Sequence, residues 1–452
     1  MSKEINNLGE GSVGKLLYKL AVPAIVANIV NALYNVVDQI FIGQGVGYLG
    51  NAATNIAFPL VTLCLAIGLM IGIGSAANLN LELGRKNYEK AKKIVGTSAN
   101  LLVIIGTIIW IIVILFLKQL MIMFGATEQI LSYAMQYTGI TSFGVPFLLI
   151  AIGINPLVRA DGSPKYSMYA IIVGAILNTI LDPIFIFVFN MGIAGAAIAT
   201  VISQIVSATI LVFYFTKFKS VKLEKKDFKL NLSISKSIFS LGMASFIFQF
   251  STMIVQVVTN NMLKIYGAAT KYGSDIPIAS AGVVMKVTII YFAVVIGLVQ
   301  GAQPILGFNY GAKKYKRVRE TTKILIESAV ITATIMTLIF QIFPRQIVSL
   351  FGSGNEEYMN FAVRFMRMYL SMLILGSIFT VSLTFFSAIG KAKKGTIISL
   401  SKQVIFLLPL TIILPIFLGV TGVIIAGPVS DILAFTLCIF LVKDEFKKMP
   451  KS

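Results

Sequence analysis

Residues 83–94 read LGRKNYEKAKKI and residues 310–321 read YGAKKYKRVRET. Laid one on the other, they put Gly84 opposite Gly311 and Tyr88 opposite Tyr315, at an offset of 227 residues. The same offset sets FGATEQ, from Phe124, against FGSGNE, from Phe351, and GIAGAAIATVISQ, from Gly192, against GVTGVIIAGPVSD, from Gly419. One such match is chance, whereas several at a single shift record a duplication. The chain therefore reads as two halves, 1–216 and 236–443, with a basic linker at 217–235 and a short tail at 444–452.

Each half is built to sit in a membrane. The 452 residues are 57% hydrophobic and only 12% charged, about half the charged share of a soluble domain. Runs of about 20 apolar residues cross a bilayer core. Twelve such spans are expected, near 16–43, 53–82, 92–117, 129–157, 166–189, 193–216, 236–263, 276–309, 321–341, 358–388, 396–418 and 421–442. The fold class is thus an all-α polytopic membrane protein of two six-helix bundles. Because six is even, both bundles enter from the same side, as parallel repeats about an axis along the membrane normal. A cavity between such halves can open to either side alternately. No short hydrophobic segment with a small-residue cleavage site opens the chain, so no removable signal peptide is expected.

The net charge of +20 follows topology rather than a nucleic-acid partner. Of the 38 Lys and Arg, 31 fall at the two ends and in alternate loops, 4 in the intervening loops, and 3 (Lys286, Arg364 and Arg367) inside spans. Under the positive-inside rule both termini are expected in the cytoplasm. The chain has no histidine and two isolated cysteines, Cys64 and Cys438, which read as buried filler. Imidazole chemistry is thereby excluded, and with it the commonest metal ligand. No nucleophile–base pair suggests an enzyme.

Glycine patterns are read as packing. The stretch GEGSVGKL (Gly9–Leu16) has the spacing of a phosphate loop, but Leu16 stands where Ser or Thr would hold magnesium and no strand precedes it. It is read as a glycine-rich lead into the first span, so any transport is expected to draw on an ion gradient. Gly68 and Gly72, and Gly297 and Gly301, have the spacing that lets helices approach closely. Glu327 has Lys323 four residues earlier, the spacing of a surface ion pair.

Polar residues deep in spans are costly and mark function. Asn28, Asn31, Asn35 and Asp38 form one stripe on the first span, with Tyr34 four residues before Asp38. On the fifth, LNTILDP (Leu177–Pro183) puts Asn178 and Asp182 on one face, and Pro183 frees the carbonyl of Thr179. The sixth carries Thr200, Ser203 and Gln204. If these stripes converge, two carboxylates, an amide oxygen and a hydroxyl would suit a small hard cation or share a proton. The second half departs from this pattern. It offers Gln256, Asn260, Asp431 opposite Gln204, and Lys286, which could pair with Asp431 in the interior as a structural pair or as an electrostatic gate.

Twelve spans in a 6+6 repeat, Pro23 and Asp38 in the first span, LNTILDP in the fifth and GIAGAAIATVISQ in the sixth resemble the multidrug and toxic compound extrusion (MATE) family. The resemblance covers nearly the whole chain. It implies a V-shaped pair of bundles that exports lipophilic, often cationic compounds in exchange for protons or sodium. It also implies an ion site at Asp38, Asn178, Asp182 and Thr200, with those four as sodium ligands if sodium is the ion. Another branch has an acid in the tenth span, where this chain has only Arg364 and Arg367, so no second-bundle ion site is expected. A substrate cavity is expected from Asn31, Tyr34, Asn35, Ser203, Gln204, Gln256, Asn260, Lys286 and Asp431. The reading is a multi-pass antiporter of a prokaryotic plasma membrane, in contact with lipid, without a cofactor and functional as a monomer. Protons are preferred over sodium because adjacent buried acids readily hold one. The alternatives are a flippase for lipid-linked precursors, which needs a cationic cleft for a phosphate, and an ion channel, which needs a polar stripe in both halves.

Overall fold

The computed structural model describes residues 8–126, 128–273, 275–350 and 356–450. Most of the FGSGNE repeat, Thr127 of its counterpart and the outermost residues of both ends lie outside the described residues. Among the described residues, ten helices are long and apolar enough to cross a bilayer singly, and two bent helix pairs each make one further span. The first half comprises α1 (Val13–Gly45), α2 (Tyr48–Gly84), α3 (Tyr88–Leu115), α4 (Glu128–Ser142 with Val145–Ala160), α5 (Pro164–Val188) and α6 (Gly192–Phe213). The second comprises α7 (Leu232–Ala268), α8 (Asp275–Gly311), α9 (Tyr315–Ile342), α10 (Glu356–Tyr369 with Leu373–Ala388), α11 (Ala392–Leu418) and α12 (Val420–Lys448). The twelve-helix fold read from the sequence is the one observed.

The duplication extends to the distortions. The α4 pair bends by 55° and the α10 pair by 48°. The breaks, at Phe143 and Leu370, are one repeat offset apart. Pro146 removes a backbone donor at the first bend, but Leu373 occupies the matching position at the second. The bend therefore belongs to the packing of the repeat rather than to one residue. At Pro183 the chain does not break. It widens into a π-helical turn, Ile184–Val188, which absorbs the missing donor while the helix continues. Gly45, closing α1, packs against this turn so closely that a Cβ there would lie 2.1 Å from the Ile186 side chain.

The bundles meet along α1 with α8 and α2 with α7, through backbone rather than long side chains. Gly297 and Gly301 lie against Ile25 and Ala21, Gly74 against the carbonyl of Ile238, and Gly242 against the carbonyl of Met70. Gly84 and Gly311 seal the end of this seam against Phe308 and Leu81. Every one of these contacts lies in the half of the molecule that holds the linker and both chain ends, whereas α1, α7 and α8 expose Leu33, Val257 and Ile289 in their other halves. Within the first bundle Gly68 and Gly72 play the same part, against Ile152 and Gly153.

Basic side chains tie the chain ends to this closed face. Asn309 Nδ2 donates to the Leu8 carbonyl at 2.9 Å, Lys314 Nζ to that of Gly9 at 3.1 Å and Arg317 Nη2 to that of Gly11 at 2.6 Å. The glycine-rich lead is therefore a strap across the bundles, with its carbonyls held by cations. Arg319 Nη2 donates to the carbonyls of Phe446 and Met449 at the end of α12. Lys323 and Glu327 form an exposed ion pair at 3.9 Å.

A leucine at position 242 would drive its Cβ to 1.8 Å from the Met70 carbonyl oxygen. Gly242→Leu is expected to lower stability by about 1–3 kcal/mol, the usual cost of overpacking, read as a depressed Tm of the detergent-purified protein. Gly14→Ala, with nothing within 4 Å of the added atom, is expected to leave the Tm in place.

Candidate ion site in the first bundle

The stripes on α1, α5 and α6 converge. Asp38 is 9% exposed and Asp182 not at all, and the two carboxyl groups lie close enough to act on each other. Asn178, one helical turn before Asp182, donates from Nδ2 to Asp182 Oδ1 at 3.3 Å and to Thr200 Oγ1 at 3.4 Å. Gln39 Nε2 donates to Asp38 Oδ2 at 3.2 Å and in turn accepts from Thr54 Oγ1 of α2 at 3.1 Å. Tyr34 stands beside both acids. Tyr137, from the bent α4, closes the ring beside Thr200, with which it lines a small cavity. Tyr137 escaped the sequence reading because no acid or amide marks its own helix face; its tyrosine repeat with Tyr133 was the only signal.

Two carboxyls in contact cannot both be ionised without a cation between them. Like charges about 4 Å apart repel by about 4 kcal/mol at an effective dielectric near 20, so a proton is retained or a cation bound. The buried oxygens Asp38 Oδ1, Asn178 Oδ1 and Asp182 Oδ2 have no hydrogen-bond partner. These are three hard acceptors in one buried cluster, a set whose chemistry fits a proton or a small monovalent cation such as sodium. Among the described residues no three His, Cys, Asp or Glu side chains gather as for a transition metal.

A cavity of about 210 Å³ adjoins this cluster, lined by Asn31, Tyr34, Asn178, Thr200, Ser203 and Gln204. A smaller one of about 40 Å³ continues past Thr200 and Gln204 to Tyr137. Ser203 Oγ and Gln204 Oε1 lack hydrogen-bond partners. The cavity lies inside the first bundle, and its one residue from the second is Gln300 of α8, whose Oε1 accepts from Asn28 Nδ2 at 3.2 Å.

Other expected cavity residues are elsewhere. Asn35 is exposed and donates back to the Asn31 carbonyl at 2.6 Å. Gln256, Asn260 and Lys286 are exposed on α7 and α8 and do not line this cavity. The pairing of Lys286 with Asp431 that the sequence allowed is not formed: Asp431 Oδ1 lies 2.6 Å from Lys402 Nζ. The π-helical stretch Ser401–Leu407 holds Lys402 within the second bundle, where its ammonium also sits over the Phe379 ring, 4.3 Å from the centroid. In repeat register Lys402 stands opposite Ala175 and Asp431 opposite Gln204, both of which line the first-bundle cavity. The second bundle thus fills with its own ion pair the region that the first leaves open. Two cations counted as topology markers are interior: Lys402, and Arg159, 7% exposed in the wall of the cavity.

The MatE family profile matches residues 23–184 and 241–413, one segment in each half. The chain belongs to the MatE family. It is 26% identical to the multidrug export protein MepA of Staphylococcus haemolyticus over 96% of this chain and 93% of that protein. It is likewise 26% identical to MepA of Staphylococcus aureus, over 96% and 94%. Among solved structures, a MATE in complex with MaL6 superimposes with a TM-score of 0.93 at 22% identity over the full length of both chains. The outward-facing conformation of a multidrug resistance MATE family transporter does so with 0.93 at 21%, again over both whole chains.

Removing one member of a buried ion pair strands the other charge. Lys402→Met is therefore expected to destabilise the second bundle by about 3–5 kcal/mol, and the double variant with Asp431→Leu to recover most of it. Thermal unfolding of the single and double variants checks this; a double variant no better than the single would show that the pair does not hold the bundle.

Proposed function

We propose that this protein is a cation-coupled efflux transporter. It exports lipophilic, often cationic compounds in exchange for protons or sodium, by alternating access of the two bundles. It works as a single chain in a prokaryotic plasma membrane, with both termini cytoplasmic and no resident cofactor. The observation that carries this reading is the Asp38–Asp182 pair, buried, side by side and set next to a cavity. The multidrug export relatives support the substrate class, and the Lys and Arg distribution supports the orientation. The glycine contacts then fall on the cytoplasmic side, which corresponds to a form closed inward.

The cycle follows from neutralisation. With a proton or sodium on the pair, its net charge is reduced to a single negative one, and the ion's release is opposed by the repulsion that follows. A cationic compound in the adjoining cavity satisfies the same carboxylates and so disfavours the ion. If compound favours one arrangement of the bundles and ion the other, the ion gradient drives export by shifting populations. Moving one positive charge out against about 100 mV costs about 2.3 kcal/mol, and each tenfold of accumulation adds about 1.4 kcal/mol. One entering monovalent ion cancels the voltage cost, and two would add voltage as a driving force.

Asp38→Asn and Asp182→Asn are each expected to lower efflux to near background while the protein still reaches the membrane. Dye retention by expressing cells at matched protein level measures this; full efflux by either variant would end the assignment. In proteoliposomes, concentrative transport is expected to stop when both the proton and the sodium gradient are collapsed, and not to resume with ATP. Uphill transport that persists without either gradient would exclude cation coupling.

A further inference from the structure

The wall of the first-bundle cavity holds a charge that the ion site does not use. Arg159, at the end of α4, is 7% exposed and keeps its positive charge at any physiological pH. A guanidinium has five donors. Only Nη1 is engaged here, by Asn155 Oδ1 and, at 3.4 Å, by Ser167 Oγ. Asn155 and Ser167 in turn hold each other, Ser167 Oγ donating to Asn155 Oδ1 at 2.8 Å and Asn155 Nδ2 to the Ser167 carbonyl at 3.3 Å. The guanidinium is thus fixed in place with donors to spare, and it lines the cavity together with Asn155.

Both of its hydrogen-bond partners, Asn155 and Ser167, are neutral, and among the described residues no acid balances it. The nearest acid in the chain, Asp161, is committed elsewhere. It accepts from Tyr214 Oη at 2.6 Å and from the backbone N–H groups of Lys219 and Ser220 at 2.7 Å each. The Asp38–Asp182 pair is engaged with itself. The second bundle treats its buried cation differently, since Lys402 has Asp431. A buried cation is stabilised by an opposite charge, and water can solvate it but not neutralise it. The first bundle leaves that charge to be supplied from the cavity.

We propose that Arg159, positioned by Asn155 and Ser167, is an oxyanion subsite that takes a carboxylate or phosphate group of the cavity's ligand. Ser167, beside Arg159, and Asn178, beside Asp182, are eleven residues apart on α5, about 16 Å along a helix. The cavity therefore has a cation in its wall and, behind Asn178 and Thr200, the acidic pair as a neighbour, and it selects amphiphiles that carry an acidic group as well as lipophilic cations. This deepens the efflux reading above and rests on it for the claim that the cavity receives exported compounds.

The test is binding by the full-length protein in phosphatidylcholine nanodiscs. The probes are rhodamine B, which has a free carboxylate, and its methyl ester, which lacks that charge and is otherwise the same dye. Fluorescence anisotropy is expected to give tighter binding of the acid in the wild type. Arg159→Gln is expected to lower the acid-to-ester affinity ratio by about tenfold, the scale of a lost charge-assisted hydrogen-bonded pair. Arg159→Lys, which keeps the charge but not the fork, is expected to hold the ratio between these values. A ratio unchanged by Arg159→Gln, or a wild type that prefers the ester, would overturn the subsite, and the second needs no variant to fold. Adding phosphatidic acid to the nanodiscs separates the sources of the oxyanion. Weaker rhodamine B binding in the wild type but not in Arg159→Gln assigns the subsite to a lipid phosphate as well, and no effect assigns it to soluble carboxylates. Export is a separate readout: an intact affinity ratio without gradient-driven transport in proteoliposomes would count against the efflux reading and leave the subsite standing.

Discussion

Two carboxyl groups placed side by side, away from water, can carry at most one negative charge unless a cation joins them. That constraint organises the first bundle. Asp38 and Asp182 meet because α1 and α5 run close together, and they run close because Gly45 leaves room for Ile186 in the widened turn after Pro183. The remaining neighbours are oxygens and amides of neutral side chains: Asn178, Thr200, Gln39 and the two tyrosines. None of them supplies a fixed positive charge. The charge state of the pair is therefore set by what arrives from outside, which is the property a coupling site requires.

The second bundle has the same fold and the opposite electrostatics. Its bend at Leu370 repeats the bend at Phe143, and its close glycine contacts repeat those of its partner. Its interior, however, is closed by Lys402 on Asp431 and by Phe379 beneath the ammonium. A tethered cation cannot leave with the membrane potential, so this bundle has no ion to exchange at that position. The duplication has kept the scaffold in both halves and the open, ligand-dependent charge in one. Arg159 fits the same division, because Phe386 stands at its register position in the second half.

The parts that the sequence made legible are those governed by the bilayer or by local spacing. Apolar runs long enough to cross and the offset that superimposes Gly84 on Gly311 survive in the structure, because lipid forbids the alternatives, and the stripes meet at Asp38, Asn178, Asp182 and Thr200 although Asn35 of the first stays exposed. What failed depends on helix phase. Lys402 lies inside α11, and a π-helical stretch changes the face on which every following residue emerges, so no count from the span's ends could direct it to Asp431. Arg159 was hidden by its position one residue before the end of α4, where a cation ordinarily reaches headgroups. Gln256, Asn260 and Lys286 were polar residues in spans and so were assigned to the cavity; they stay exposed because the bundles meet only along the other halves of α7 and α8.

The seam between the bundles and the ion site act on the same helix. Near its start α1 is held by α8 through backbone contacts at Ala21 and Ile25, and the strap before it is held by Asn309, Lys314 and Arg317. Near its end α1 carries Asp38 and packs on the turn after Pro183 through Gly45. A change in charge at Asp38 is thus felt at the end of α1 that the second bundle does not clamp. In the proposed cycle, loss of the shared proton or ion would set α1 against α5 by like-charge repulsion, and the Asn28–Gln300 bond joins the same helix to α8. A helix clamped to the second bundle at its start, and carrying Asp38 at its unclamped end, is placed where the proposed alternating access would need it, between the ion site and the seam.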